Sequence, residues 1–372
     1  MTFVIITHVP HKIENNAIYA YAPYVREMNS WIKEIEKLII VAPQLNSPKN
    51  AIEINYEHDN IEFVTIEAFD ILSLKAIMLS IYKTPRIIRQ IFKAIQQSDH
   101  IHLRCPGNIG LLGCFIQLLF PAKPKTAKYA GNWDPKSKQP WSYRLQKWIL
   151  GNTFLTRNMQ VLVYGEWEKS TKNIKPFFTA TYTEADKLPI PKKRLKECIH
   201  FVFVGTLVPG KNPLYALQIV EVLHKKGLNV TLNFYGEGPE RDILNQYILE
   251  HNLGKIVFLK RNQSRRVIQK SYKNSHFVIL PSKSEGWPKA VAEGMFWGCV
   301  PIASPISCVP FMLDHGNRGL LLTMNIEKDI LQIKALIQNE EGFADKSKKA
   351  SDWSRQYTMD VFENEIKKVL QS

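Results

Sequence analysis

Long apolar runs are missing from this sequence. The most extended, residues 109–120, falls short of the ~20 residues that a bilayer-crossing helix needs and reads as a buried helix. The first residues, MTFVIITHVPHK, have no basic stretch ahead of their short apolar run, so they read as a first β-strand and not as a secretory signal. Cysteine is sparse. Cys105, Cys114, Cys198, Cys299 and Cys308 lack any C-x-x-C spacing, which excludes the common zinc and redox motifs and favours free thiols in a reducing compartment. The ten histidines are dispersed, so no metal site is expected. Low-complexity tracts are absent too, and with 45% hydrophobic and 22% charged residues the chain is expected to be globular and cytoplasmic.

What is present begins with charge. A formal net charge of +15 implies a negative partner: nucleic acid, an anionic membrane or a phosphorylated small molecule. The length, 372 residues, suits two domains of ordinary size. Short β-branched runs at residues 3–7, 38–42, 61–66, 100–103, 126–130 and 161–164 predict strands. A second series follows at 200–204, 230–235, 256–259, 277–280, 299–303 and 319–322. Between them, residues 213–226, 239–251 and 288–297 carry apolar residues at helical intervals, each opening on a proline suited to a first turn. Alternating strands and helices imply α/β architecture with parallel sheets. The expectation is two Rossmann-like domains facing across a cleft, residues 1–190 and 191–350, with a final helix in 351–372 packing back on the first. The join is placed in residues 183–196, TEADKLPIPKKRLK, where prolines and lysines break the periodicity.

One segment carries chemistry, residues 284–295, SEGWPKAVAEGM. Glu285 is predicted in a loop and Glu293 inside the helix that Pro288 opens, with seven residues between them. Eight helical steps would separate the two by roughly 12 Å, enough to place one carboxylate at each end of a sugar nucleotide. The amides of Gly286, Trp287, Lys289 and Ala290 would be free donors at a helix start, an arrangement that suits phosphate. Upstream, FVFVGTLVPGKNP (201–213) supplies Gly205, Gly210 and Lys211 in a strand-to-helix loop, and NFYGEGPERDIL (233–244) places Gly236 and Gly238 similarly.

These segments, in this order, resemble the carboxy-terminal domain of the retaining glycosyltransferases of family four, also called group one, which have the GT-B fold. The resemblance spans residues 201–322 and includes FLKRNQ (258–263) and VILPSKSEGWPKAVAEGMFWGCVPIAS (278–304). It implies that Glu285 binds hydroxyls of the transferred sugar, Glu293 the ribose, and Lys211 with the amides after Glu285 the diphosphate. Gly205, Thr206 and Pro288 would line the same donor site, with Lys260 and Arg261 beside the base. Neither metal nor cofactor is implied. Thr206 departs from the arginine usual at its position, and Arg104 is the candidate to replace that charge.

The resemblance further implies that the amino-terminal domain recognises the acceptor, through His11, His102, Arg104 and Asn108 in the segments HVPHKIENN (8–16) and IHLRCPGN (101–108). Residues 71–95 contain Lys75, Lys83, Arg86, Arg89 and Lys93 with no acid, and residues 123–147 combine seven basic side chains with Tyr129, Trp133, Trp141 and Tyr143. Such patches fit an anionic membrane surface. The expected protein is a glycosyltransferase held peripherally on the inner face of a membrane and extending a glycan or lipid-linked acceptor. The alternatives are a GT-B epimerase or phosphorylase and a basic nucleic-acid-binding protein, although no nucleic-acid-binding module is discernible.

Overall fold

The structure, a computed structural model, describes all residues except Ala51, residues 68–73, Lys169, Lys196 and Ser372, and it describes residues 74–81 without their side chains. Part of the basic stretch, including Lys75, and the last residue of the expected join, Lys196, thus lie outside the described residues. The chain divides into two compact units, Met1–Phe177 with Glu363–Ser372, and Phe178–Phe362. The expected boundaries at residues 190 and 350 both fall inside the second unit.

The first unit contains β1 (Thr2–Ile6), β2 (Lys12–Glu14), β3 (Ala17–Tyr21), α1 (Ala22–Ile32), β4 (Lys37–Pro43), β5 (Glu53–Asn55), β6 (Ile61–Ile66), α2 (Leu74–Gln96), β7 (His100–Cys105), α3 (Asn108–Ile116), β8 (Lys125–Tyr129), α4 (Trp141–Gly151), β9 (Met159–Tyr164) and β10 (Ile174–Phe177). Seven of the strands form a parallel sheet in the order β10-β9-β8-β7-β1-β4-β6. Burial on both faces explains why these strands read as continuous Val and Ile runs. Along β1, Val4 and Ile6 point to one face, where they meet Ile91, Ile109 and Ile149 of α2, α3 and α4. Phe3 points to the other face and stacks near Trp31 of α1 and His100. Residues 363–371 join that second face, with Lys33 2.6 Å from Glu363 and Lys367 2.7 Å from Glu34. A small antiparallel sheet, β2-β3-β5, was not expected, because three-residue strands are too short to show a period.

The second unit contains β11 (Ile199–Val204), α5 (Pro213–Lys225), β12 (Val230–Tyr235), α6 (Arg241–Glu250), β13 (Val257–Lys260), α7 (Arg265–Asn274), β14 (Phe277–Leu280), α8 (Lys289–Phe296), β15 (Val300–Ala303), α9 (Val309–Met312), β16 (Leu320–Leu321), α10 (Ile326–Ile337) and α11 (Glu340–Ser354), and α12 (Met359–Gln371) begins in it. Its parallel sheet runs β13-β12-β11-β14-β15-β16. α5 opens on Pro213 as expected, whereas α6 starts two residues after Pro239, since the Glu240 amide donates to the Leu207 carbonyl at 3.0 Å. Among the described residues no helix is long and apolar enough to cross a membrane.

α8 lies against β14 through Gly294: a Cβ there would come 2.6 Å from Val278 Cγ1, and Val278 is wholly buried. Gly294→Ala must push the helix off the sheet, and a loss of about 1–3 kcal/mol is expected in chemical denaturation. An unchanged midpoint would show that this contact yields freely.

Candidate functional site

In the second sheet the chain steps outward from β11 to β12 and β13, then returns to β14 on the opposite side of β11 and continues to β15 and β16. The loops that follow β11 and β14 therefore leave in different directions and open a crevice at the carboxyl ends of the strands, the usual ligand position in open α/β sheets. Residues of the first glycine-lysine loop and of the SEGWP loop meet here. Lys211, from the loop after β11, forms an ion pair with Glu285, from the loop after β14. The Lys283 amide donates to the Gly210 carbonyl at 2.8 Å, so the backbones are joined as well. Glu285 is only 9% exposed, and the lysine charge offsets its desolvation.

The glycines explain how the loops come so close. Gly205 donates its amide to the Tyr235 carbonyl at 3.0 Å, and Leu207 to the Glu237 carbonyl at 2.9 Å. A Cβ on Gly236 would land on the Gly205 carbonyl oxygen, and one on Gly238 on the Leu207 carbonyl oxygen. The GEG turn thus leaves room for the first loop, with Thr206 exposed at its tip. Lys260 ends β13 on this edge and accepts from the Gly236 amide at 3.3 Å, while Arg261 is exposed and 3.7 Å from Glu237.

On the other side of the crevice, Gly286 is held by its carbonyl, which accepts from Ser307 Oγ at 3.2 Å and Cys308 Sγ at 3.1 Å. Burial, with the Glu285 charge adding to it, pushes the Cys308 thiol up to about 12, so it remains an S–H donor. Pro288 precedes α8 directly. The amides of Val291 and Ala292 both donate to the Pro288 carbonyl, and among the described residues no backbone acceptor takes the amides of Gly286 or Ala290. The start of α8 therefore offers donors to a ligand.

Glu293 lies one helical stretch away, in the wall of a hollow shared with Thr181, Tyr182, Trp287, Lys289 and Tyr357. Thr181 Oγ1 donates to it at 2.8 Å. Burial raises its pKa, against the opposing pull of Thr181, Lys289, Tyr272 and Arg265. Tyr182 closes the hollow between the ring of Phe296, at 4.7 Å, and the guanidinium of Arg265, at 5.1 Å. Neither Thr181 nor Tyr182 carries a sequence signal, since both reach the site from the segment that enters the unit, remote from any motif. The SCVP stretch that holds Gly286 was equally silent.

The expected acceptor residues all belong to the first unit and divide into two kinds. His11 and His102 are core residues, which corrects their assignment as ligand contacts. His11 is fully buried, with Nδ1 2.7 Å from the Val9 carbonyl and Nε2 2.8 Å from the Tyr56 hydroxyl, and burial lowers it to about 4. His102 is packed against Phe3 and Trp31 and bonds Thr126 at 2.8 Å. Arg104 and Asn108 sit at the switch point of the first sheet, between β1 and β7. There Arg104 is 3.2 Å from Glu27 and lies over the Tyr24 ring. Burial works against its charge, but Glu27 and the nearby tyrosines outweigh it and raise the pKa. Arg104 thus has its counter-ion within its own unit.

A carboxyl group whose pKa is raised by folding loses stability as pH climbs above the unfolded value, 4.5 for glutamate, because ionisation is then hindered only in the folded state. Glu293→Gln is therefore expected to melt above the wild-type protein at neutral pH, the gap closing as pH falls towards 4.5. A variant that melts lower at neutral pH would contradict the strain assigned to this carboxylate.

Residues 186–356 match the family model described as glycosyl transferases group 1. An uncharacterised glycosyltransferase of Haemophilus influenzae is 29% identical over 49% of this chain and 52% of its own length. The poly(ribitol-phosphate) α-N-acetylglucosaminyltransferase of Staphylococcus aureus is 28% identical over 40% of this chain and 30% of its own. This chain thus spans about half the length, or less, of these relatives. Among solved structures, Anabaena HepE in complex with UDP and glucose superposes with a TM-score of 0.67 at 14% identity, over the whole of this chain and 99% of that one. Residues 186–356 are thus similar to glycosyl transferases group 1, in a chain whose two Rossmann-like units have the GT-B fold.

Proposed function

We propose that the chain is a retaining, metal-independent glycosyltransferase that moves a sugar from a UDP-linked donor to a glycan or lipid-linked acceptor in cell-surface polysaccharide or lipopolysaccharide synthesis. The observation that carries this reading is the meeting of Lys211 and Glu285 at the switch point of the second sheet, with the start of α8 beside them and Glu293 in the adjoining hollow. Glu285 holds hydroxyls of the transferred sugar, and Lys211 with the amides of Gly286 and Ala290 takes the diphosphate. Glu293 receives the ribose hydroxyls. The lysine and the helix start supply the positive charge that a leaving diphosphate requires, so neither a metal ion nor a cofactor is needed.

In the transfer the bond from the anomeric carbon to the donor phosphate breaks, and a bond to the acceptor hydroxyl forms on the same face. The hydroxyl proton passes to the departing phosphate oxygen. Support for the donor comes from the UDP and glucose bound to the Anabaena protein, and for the acceptor class from the poly(ribitol-phosphate) named for the S. aureus relative. The enzyme acts at the cytoplasmic face of a membrane, where such acceptors are built.

Glu285→Gln and Lys211→Ala are each expected to lower kcat/KM for sugar transfer by about 100-fold or more, in line with the loss of one preorganised charge partner. Glu293→Gln is expected to raise KM for the donor with a smaller effect on kcat. Wild-type rates in both Glu285→Gln and Lys211→Ala would sink the proposal, and interconversion of the sugar nucleotide without transfer would replace it by an epimerase.

A further inference from the structure

The helices that cover one face of the first sheet share an unusual outer surface. α2, α3 and α4 all pack inward on the same core, through Ile91, Ile109 and Ile149. Segments 82–97, 108–120 and 141–157, which build this layer, contain seven lysines and arginines and no aspartate or glutamate. On α2, Tyr82, Arg86, Arg89 and Lys93 are exposed and follow one helical stripe. On α4, Trp141, Arg144 and Trp148 do the same, the two tryptophans 61% and 60% exposed. Phe115 near the end of α3, Leu119 after it, and Phe154 after α4 are exposed as well. Acidic neutralisation is slight: Glu67, at the end of β6, is 2.8 Å from Lys83 and 3.9 Å from Arg86.

The opposite face of the same unit is built differently. There α1 and residues 363–371 mix Glu27, Glu34, Glu363 and Glu365 with Arg26, Lys33, Lys367 and Lys368, and ion pairs such as Lys33–Glu363 join them. The asymmetry also redraws the second basic patch read from sequence. Lys125, Lys128, Tyr129 and Trp133 are buried, with Lys125 bonded to the Phe120 carbonyl at 2.8 Å and Lys128 against the rings of Tyr164 and Phe177. The exposed basic side chains of this region are instead Lys136 and Lys138 ahead of α4 and Arg144 on it, where Trp141 is exposed as well.

We propose that the outer layer of α2, α3 and α4 is a docking surface for an anionic lipid bilayer. Arginines and lysines reach the phosphate level while Trp141, Trp148 and Phe154 enter the interface beside them, which is the division of labour that a peripheral anchor requires. A basic field that Glu67 opposes only at Lys83 and Arg86 lowers the free energy at an anionic surface, and the aromatics give the apolar area that charge alone does not supply. The inference deepens the proposed reading and rests on it for the lipid-linked acceptor: the layer would hold the acceptor-binding unit at the membrane where that acceptor resides.

The test is co-sedimentation of the full chain with vesicles of phosphatidylcholine alone and of phosphatidylcholine mixed with phosphatidylglycerol, with UDP affinity measured in parallel. Binding is expected on the anionic vesicles only, falling with added salt. Arg86→Glu, Arg89→Glu and Arg144→Glu combined should weaken it by at least about tenfold. Trp148→Ser with Phe154→Ser should also weaken it, each variant keeping the wild-type melting temperature and UDP affinity. Wild-type protein that binds UDP but no vesicle would overturn the docking surface and leave the donor site intact. Vesicle binding without any UDP affinity would instead remove the enzymatic reading. A dimer dispersed by Trp148→Ser, or RNA binding lost in the same variants without any vesicle binding, would assign the layer to another partner and overturn the proposal.

Discussion

The ion pair between Lys211 and Glu285 joins two loops that the topology of the second sheet drives apart. β11 hands its chain to one side and β14 to the other, so without a tie the crevice between them would be an open slot. The pair spans that slot, and the backbone bond from Lys283 to Gly210 reinforces it. Two opposite charges withdrawn from water stabilise little by themselves, since desolvation consumes most of their attraction. Under the proposed function the pair is a poised ligand site, in which a bound sugar and diphosphate would each replace one half of it.

The neighbouring structure serves the same crevice. Gly236 and Gly238 let the loop after β12 pass directly beneath the loop after β11, and Gly294 lets α8 lie against β14, so that the start of α8 reaches the site. Ser307 and Cys308 hold the Gly286 carbonyl from behind. Glu293 is the member with a raised pKa, a carboxylate kept in a hollow that disfavours its charge. Strain of this kind belongs to function, because folding alone would favour glutamine.

The first unit shows the same sheet logic with different contents. At its switch point Arg104 is already neutralised by Glu27, and His8 lies against Gly107, whose Cβ would come 2.6 Å from the imidazole. The histidines that sequence placed there, His11 and His102, are withdrawn into the core. A histidine on a β-strand gives no sign of which face it will occupy, and a single register step decides between ligand and core. The basic stretch 123–147 misled for the same reason: Lys125 and Lys128 are strand residues turned inward, paired with carbonyls and aromatic rings.

The sequence by itself determined the alternation of strands and helices, the two-unit α/β architecture, and the strand-loop-helix segment that carries Glu285 and Glu293. Its glutamates, glycines and lysine lie at fixed local spacings that only a strand-loop-helix can use, so local chemistry was enough to identify them. Tertiary structure alone decided three things: that Lys211 pairs with Glu285, that Thr181 and Tyr182 complete the hollow around Glu293, and that basic side chains of α2 and α4 come to lie on one face of the first sheet. Each depends on which residues a parallel sheet brings together across long stretches of chain. That order is set by the packing of whole elements and leaves no trace in the spacing of neighbours.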